Sequence, residues 1–159
     1  MSAAAVLLGL VLPGCGGHGA DGLPAPAPMD MARLRRPATP NTALAAPSDF
    51  DPAPDLVTPP YPVPPRRLYE AVRRVAQAQP RTYPHVAYDE RLQAHYVVRS
   101  RALNFPDLVA VQVHDGEGGG SRLVLWSRSV YGRSDFGVNR ARLRAWLGAL
   151  DAALAEGGG

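Results

Sequence analysis

The chain has 159 residues and a formal net charge of +3, and its 17 Lys and Arg residues are all arginines. Because no dense basic stripe with interleaved aromatic residues occurs, composition and charge argue against a nucleic-acid-binding protein. The single cysteine excludes an internal disulfide. We expect no bound metal or cofactor, since the sequence has no phosphate-binding loop, dinucleotide fingerprint or metal-ligand spacing.

Residues 1–14 are predicted to be a lipoprotein signal peptide. Their apolar run is too short for a permanent transmembrane helix, which needs roughly 20 residues, but it suits the apolar part of a secretory signal. Leu12-Pro13-Gly14-Cys15 resembles a bacterial lipobox, which implies cleavage before Cys15 and acylation of its thiol. The alternative is an apolar N-terminus with a buried thiol. Because Gly16 follows the cysteine where Asp would signal inner-membrane retention, we expect the outer membrane, facing the periplasm, if the source has two membranes.

Residues 15–65 are predicted to form a flexible tether and N-terminal arm. Pro, Ala and Gly dominate this stretch, which therefore offers too little apolar surface to offset the loss of chain entropy on folding. All long apolar-periodic segments come later in the chain. We accordingly place the folded domain at residues 66–155 and a disordered tail at residues 156–159.

The domain is predicted to contain a helix, four strands and a second helix. Hydrophobic spacing of the helical period predicts helices over residues 66–79 and 136–154, the second capped by Ser134 or Asp135. Strand-forming runs cover residues 82–89, 92–101, 107–115 and 121–130. The short connections between these runs favour antiparallel pairing. We expect an α+β fold of order α-β-β-β-β-α: a two-layer sandwich of a four-stranded antiparallel sheet with both helices on one face.

Residues 127–140 read Ser-Arg-Ser-Val-Tyr-Gly-Arg-Ser-Asp-Phe-Gly-Val-Asn-Arg. This run resembles the signature Ser-x-Ser-Arg-x-Gly-x-Ser-Asp-Leu-Gly-x-Asn-Arg of the bacterial and plastid family called domain of unknown function 1499. Pro40-Asn41-Thr42 corresponds to a Pro-Asn-Cys element of that family, with Thr42 in place of the cysteine. Phe105-Pro106-Asp107-Leu108 matches part of a Phe-x-Asp-Asp element. The resemblance covers about residues 34–154 and implies an envelope or organelle setting, often with a lipid or membrane anchor, and no established activity.

Polar side chains concentrate where the last strand meets the last helix. The candidate cluster comprises Asn41, Asp107, Arg128, Ser129, Ser134, Asp135, Asn139 and Arg140. Free backbone N–H groups at a helix start, together with arginine donors, could bind a carboxylate or phosphate. Alternatively these groups satisfy one another: Asp135 caps the helix, Arg128 or Arg140 pairs with Asp107 or Asp135, and Asn41 pins the arm.

No catalytic residue is assigned. A hydrolase or transferase using Asp107, Ser134 or Asp135 is an alternative, but a serine nucleophile needs a base in reach and no histidine is near in sequence. We therefore carry three hypotheses: an anchored envelope protein whose domain binds an envelope protein or a small anionic ligand, an enzyme of the class just named, and a purely structural lipoprotein. The expected partner common to all three is a membrane, reached through the lipid.

Overall fold

The computed structural model describes residues 17–157. The predicted signal peptide, Cys15 and the last two residues of the predicted tail lie outside this range. The elements in chain order are β1 Thr42–Ala46, β2 Leu56–Val57, α1 Pro65–Ala78, β3 Thr82–Tyr88, β4 Gln93–Arg99, β5 Pro106–Asp115, β6 Ser121–Ser129 and α2 Val138–Glu156. Within residues 17–157, neither helix is long and apolar enough to cross a bilayer.

The prediction of a mixed α+β fold with two helices is confirmed, but the prediction of four strands is wrong. One sheet holds six strands in the order β2-β1-β6-β5-β4-β3. The sheet is mixed rather than antiparallel, because β1 and β2 pair in parallel while the other neighbours are antiparallel. The two unexpected strands precede α1 and come from the segment predicted to be a tether and arm.

The strand β1 was missed because its composition conceals it. It reads Thr-Ala-Leu-Ala-Ala, and alanine is depleted in strands. Its last four residues are nonetheless buried, and it pairs with β6 from Thr42↔Arg128 to Ala45↔Leu125. Strand β1 lies inside the sheet between β2 and β6, and its residues are buried alternately in the apolar clusters on the two faces.

Both helices pack on one face of the sheet, as their apolar faces predict. Helix α1 follows Pro64, ends before Pro80 and buries Leu68, Tyr69 and Val72. Helix α2 buries Leu143, Trp146 and Leu150 in the same core. Helix α2 begins at Val138, two residues later than predicted, since Gly137 has a left-handed conformation with φ of 82°.

The opposite face of the sheet is covered by the N-terminal segment. Met31 and Leu34 pack against Leu44, Val124 and Trp126 in a second apolar cluster. The side chain of Gln93, on β4, binds both backbone groups of Met29, with distances of 2.8 Å to its N–H and 2.7 Å to its carbonyl oxygen. Residues 17–34 are therefore joined to the domain, which the prediction of a flexible tether did not anticipate.

Candidate functional site

The polar residues of the predicted cluster gather at the end of the sheet where β6 stops and α2 starts. The register places Asp107 of β5 opposite Ser129 of β6. Side chains alternate between the two faces of a strand, so Asp107, Ser127 and Ser129 point toward α2. Arg128 points to the opposite face.

Asn139, in the first turn of α2, is the centre of the cluster and is completely buried. Its amide nitrogen donates to the backbone oxygen of Asn41 and to Oγ of Ser129, both at 3.0 Å. Its amide oxygen accepts from Oγ of Ser127 at 2.5 Å and from the guanidinium of Arg142 at 2.6 Å. Asn139 thereby links α2 to β6 and to the residue that precedes β1.

An ion pair closes the same cluster. The guanidinium of Arg142 lies 2.6 Å from the carboxylate of Asp107, and each side chain is about 10% exposed. The same guanidinium donates to Oγ of Ser127 at 2.9 Å. The partner of Asp107 is therefore Arg142, not Arg128 or Arg140.

Asn41 and Asp135 each form hydrogen bonds with backbone groups of the segment between β6 and α2. The amide of Asn41 donates to the carbonyl of Gly132 at 2.7 Å, and its own backbone oxygen also accepts from the N–H of Ser129. The carboxylate of Asp135 accepts from the N–H of Asn139 at 2.8 Å and of Gly137 at 3.0 Å. Asp135 thus supplies the acceptor that the free N–H groups of a helix start require.

Three of the predicted residues take little part in the cluster. Ser134 is exposed, and its Oγ accepts from the N–H of Phe136 at 3.3 Å. Arg140 is exposed and donates to the backbone oxygen of Asp55 at 3.3 Å. Arg128 lies on the other face of the sheet, where its guanidinium is 5.4 Å from the ring centre of Trp126. Burial lowers the pKa of Arg128 below its ordinary value.

The chemistry open to the cluster is limited by these contacts. Oγ of Ser127 donates to an amide oxygen and accepts from a guanidinium, so no base is in place to activate it as a nucleophile. Within residues 17–157, no three His, Cys, Asp or Glu side chains converge as metal ligands would. The cluster has the form of a closed hydrogen-bonding network between three elements.

The family model for "Protein of unknown function (DUF1499)" matches residues 34–150 of this chain. The chain belongs to this family. A search of curated proteins finds no match to it. Among solved structures, the chain is similar to TTHA0849 from Thermus thermophilus, with 16% sequence identity and a TM-score of 0.41 over 74% of this chain and 99% of that chain.

In this DUF1499 protein, the residues of the family-like run divide between two faces of the sheet. Ser127, Ser129 and Asn139 enter the buried network, whereas Arg128 does not. Ser127 and Arg142 were not among the predicted site residues. Two sequence signals could have found them: Ser127 shares a strand face with Ser129, and Arg142 follows Asn139 by three residues, which places both on one side of a helix.

Proposed function

We propose that this protein is a lipid-anchored protein of the cell envelope whose domain acts as a structural or binding module and not as an enzyme. The lipobox-like Leu12-Pro13-Gly14-Cys15 supports the anchor. The closed network around Asn139 supports the absence of catalysis, since its donors and acceptors are directed at one another. That network is the observation on which the choice between module and enzyme depends.

The anchor is tested by expressing the full chain in a two-membrane bacterium together with a fatty-acid analogue. The wild type is expected to incorporate the analogue and to sediment with the outer membrane. Cys15→Ser is expected to lose the label and to leave the membrane fraction, because Cys15 is the only thiol in the chain.

A matched variant at the next residue tests the destination. Gly16→Asp is expected to keep the label and to move the protein to the inner membrane. A wild-type protein without label, or a Cys15→Ser variant with unchanged fractionation, would reject the lipid anchor.

A second candidate function, the binding of an anionic group, is favoured by Arg128. This half-buried guanidinium has no carboxylate within ion-pair distance among residues 17–157. It lies beside the indole of Trp126, whose buried N–H has no hydrogen-bond partner in the described part of the chain. A guanidinium without a carboxylate partner suits a phosphate or carboxylate oxygen.

Inorganic phosphate is the probe for this second candidate. It is expected to raise the thermal midpoint of the wild type and to have no effect on Arg128→Gln. Arg122→Gln is the matched control, because Arg122 occupies the same face of β6 but already pairs with Asp49. An equal response of the wild type and Arg128→Gln would rule out a phosphate site at Arg128.

A further inference from the structure

The first residues that the structure describes are attached to one end of the sheet. The guanidinium of Arg99, the last residue of β4, donates to the backbone oxygens of Gly19 at 2.8 Å and Asp21 at 3.2 Å. The amide of Asn104 donates to the backbone oxygen of Gly17 at 3.0 Å. Arg99 is almost completely buried, so this attachment is part of the domain.

Chain connectivity then limits how far the proposed lipid can be from this end. Cys15 precedes Gly17 by two peptide units, which span at most about 7 Å. A lipid on Cys15 would therefore leave the protein beside Gly17, without a stalk between the membrane and the domain.

The same end of the sheet carries exposed apolar side chains. We name the surface formed by Arg81 and residues 100–105 and 130–138 the anchor end; its two loops touch through Phe105 and Tyr131, whose ring centres are 6.0 Å apart. Four large apolar side chains are exposed in residues 17–157, and three of them lie here: Phe136 at 95%, Leu103 at 63% and Val138 at 51%. Phe136 also has a positive φ of 52°, which is rare for a bulky residue and is characteristic of functional positions.

Charge at the anchor end is positive. Arg81, Arg101 and Arg133 are exposed there. The only acidic residue in the two loops is Asp135, and its carboxylate accepts hydrogen bonds from the start of α2. The exposed Asp21, in the attached N-terminal segment, is the second carboxylate at this end. Exposed aromatic and aliphatic side chains among arginines are the composition of surfaces that bind the interface of an anionic membrane.

We propose that the anchor end lies directly on the anionic membrane surface that holds the lipid, with Leu103 and Phe136 inserted among the headgroups and the arginines on lipid phosphates. This inference rests on the proposed lipid anchor and adds an orientation to it: the β5–β6 turn, at the opposite end of the sheet, points away from the bilayer.

A fluorescent label on a single introduced thiol tests this orientation. The acylated full chain carrying Ala102→Cys, labelled with an environment-sensitive dye, is reconstituted in vesicles of phosphatidylethanolamine and phosphatidylglycerol that contain a spin-labelled lipid. Ala102 and Glu117 are both exposed, and Glu117→Cys provides the matched site in the β5–β6 turn. We expect at least threefold stronger quenching at residue 102 than at residue 117.

Two further arms make the result specific. Adding Leu103→Ser and Phe136→Ser is expected to reduce the quenching at residue 102 toward the value at residue 117, with acylation and thermal midpoint unchanged. Equal quenching of the two labels in the parent protein would overturn the proposed orientation. If Cys15 carries no acyl group, the lipid anchor is rejected, and the surface contact is tested on its own with the labelled Cys15→Ser chain. Stronger quenching at residue 102 than at residue 117 on anionic vesicles then supports the surface contact, and equal quenching overturns it.

Discussion

At the scale of single residues, the hydrogen-bonded cluster at the join of β6 and α2 has one central member. Asn139 makes four side-chain hydrogen bonds from a fully buried position. A buried amide whose donors and acceptors are all paired contributes to stability. Its removal leaves the buried groups that it contacted without a hydrogen-bond partner.

Asn139→Ala is expected to lower the free energy of unfolding by about 2–4 kcal/mol, because it breaks these bonds and leaves buried polar groups unpaired. Urea denaturation measures the loss. The neighbouring Arg140→Ala is the control and should change stability by less than about 0.5 kcal/mol, since Arg140 is exposed. Similar losses in the two variants would contradict the central role of Asn139.

His95 is a second residue whose environment has a measurable effect, in this case on the pH dependence of stability. It is buried on the face covered by the N-terminal segment, and its Nε2 lies 3.2 Å from the amide oxygen of Gln93. Burial, followed by the positive charges of His85 and Arg128, lowers the pKa of His95 to about 4. In the unfolded chain His95 has its ordinary pKa near 6.5, so between pH 6.5 and pH 4 it binds a proton in the unfolded chain but not in the folded one.

The stability contributed by neutral His95 is complete above pH 6.5 and is lost as the pH falls from 6.5 toward 4. His95→Gln is expected to reduce the difference in unfolding free energy between pH 7.5 and pH 4.5 by roughly 2–3 kcal/mol. Urea denaturation at both pH values is the measurement, with the exposed His18→Gln as control. An unchanged pH dependence in His95→Gln would disprove the assignment.

At the scale of elements, the N-terminal segment behaves as a cover for the second sheet face. Its attachment depends on Gln93, which forms a pair of hydrogen bonds with the backbone of Met29. Gln112 lies directly opposite Gln93 in the register and is also buried, yet its amide oxygen has no partner in the described part of the chain. Gln93 is therefore the position at which the attachment of the N-terminal segment can be tested, and Gln112 is the matched control.

Gln93→Leu is expected to destabilise the protein by about 2–3 kcal/mol and to speed amide exchange at Met29, because both backbone groups of Met29 lose their partner. Gln112→Leu should change stability much less, since it removes an unpaired buried oxygen together with only one long hydrogen bond, 3.5 Å from Nε2 to the backbone oxygen of Arg91. Denaturation and hydrogen exchange report both effects. Equal effects of the two substitutions would show that the cover does not depend on Gln93.

At the scale of the whole molecule, the folded unit extends well before residue 66. Strand β1 covers one edge of β6 and buries four residues in two cores. Without it, β6 becomes an exposed edge and the network around Asn139 loses the backbone of Asn41.

A chain of residues 66–157 is accordingly expected to show no cooperative thermal unfolding, whereas a chain of residues 17–157 should unfold in one transition. Circular dichroism during heating distinguishes them. Cooperative unfolding of the shorter chain at the same thermal midpoint as the longer one would instead support the predicted start of the folded domain at residue 66.

Local sequence was sufficient for the elements whose pattern is strong. The approximate limits of α1 and β3 to β6 and the shared face of the two helices were predicted, because hydrophobic period, proline positions and glycine-rich turns are properties of neighbouring residues. The family was predicted from the resemblance of residues 127–140 to its signature. The same alternation along β6 places Arg128 and Ser129 on opposite faces of the sheet, although the predicted cluster combined these two positions.

Only the tertiary structure decided which distant segments meet. An alanine-rich strand carries little intrinsic preference, so β1 is specified by its partners β6 and α2 rather than by its own residues. Three contacts join segments far apart in sequence: the pairing of Asp107 with Arg142, the attachment of Met29 to Gln93, and the hydrogen bond from Arg99 to the backbone of Gly19. Such contacts form because the folded sheet brings these segments together and leaves no water to satisfy their polar groups, and no local pattern encodes that arrangement.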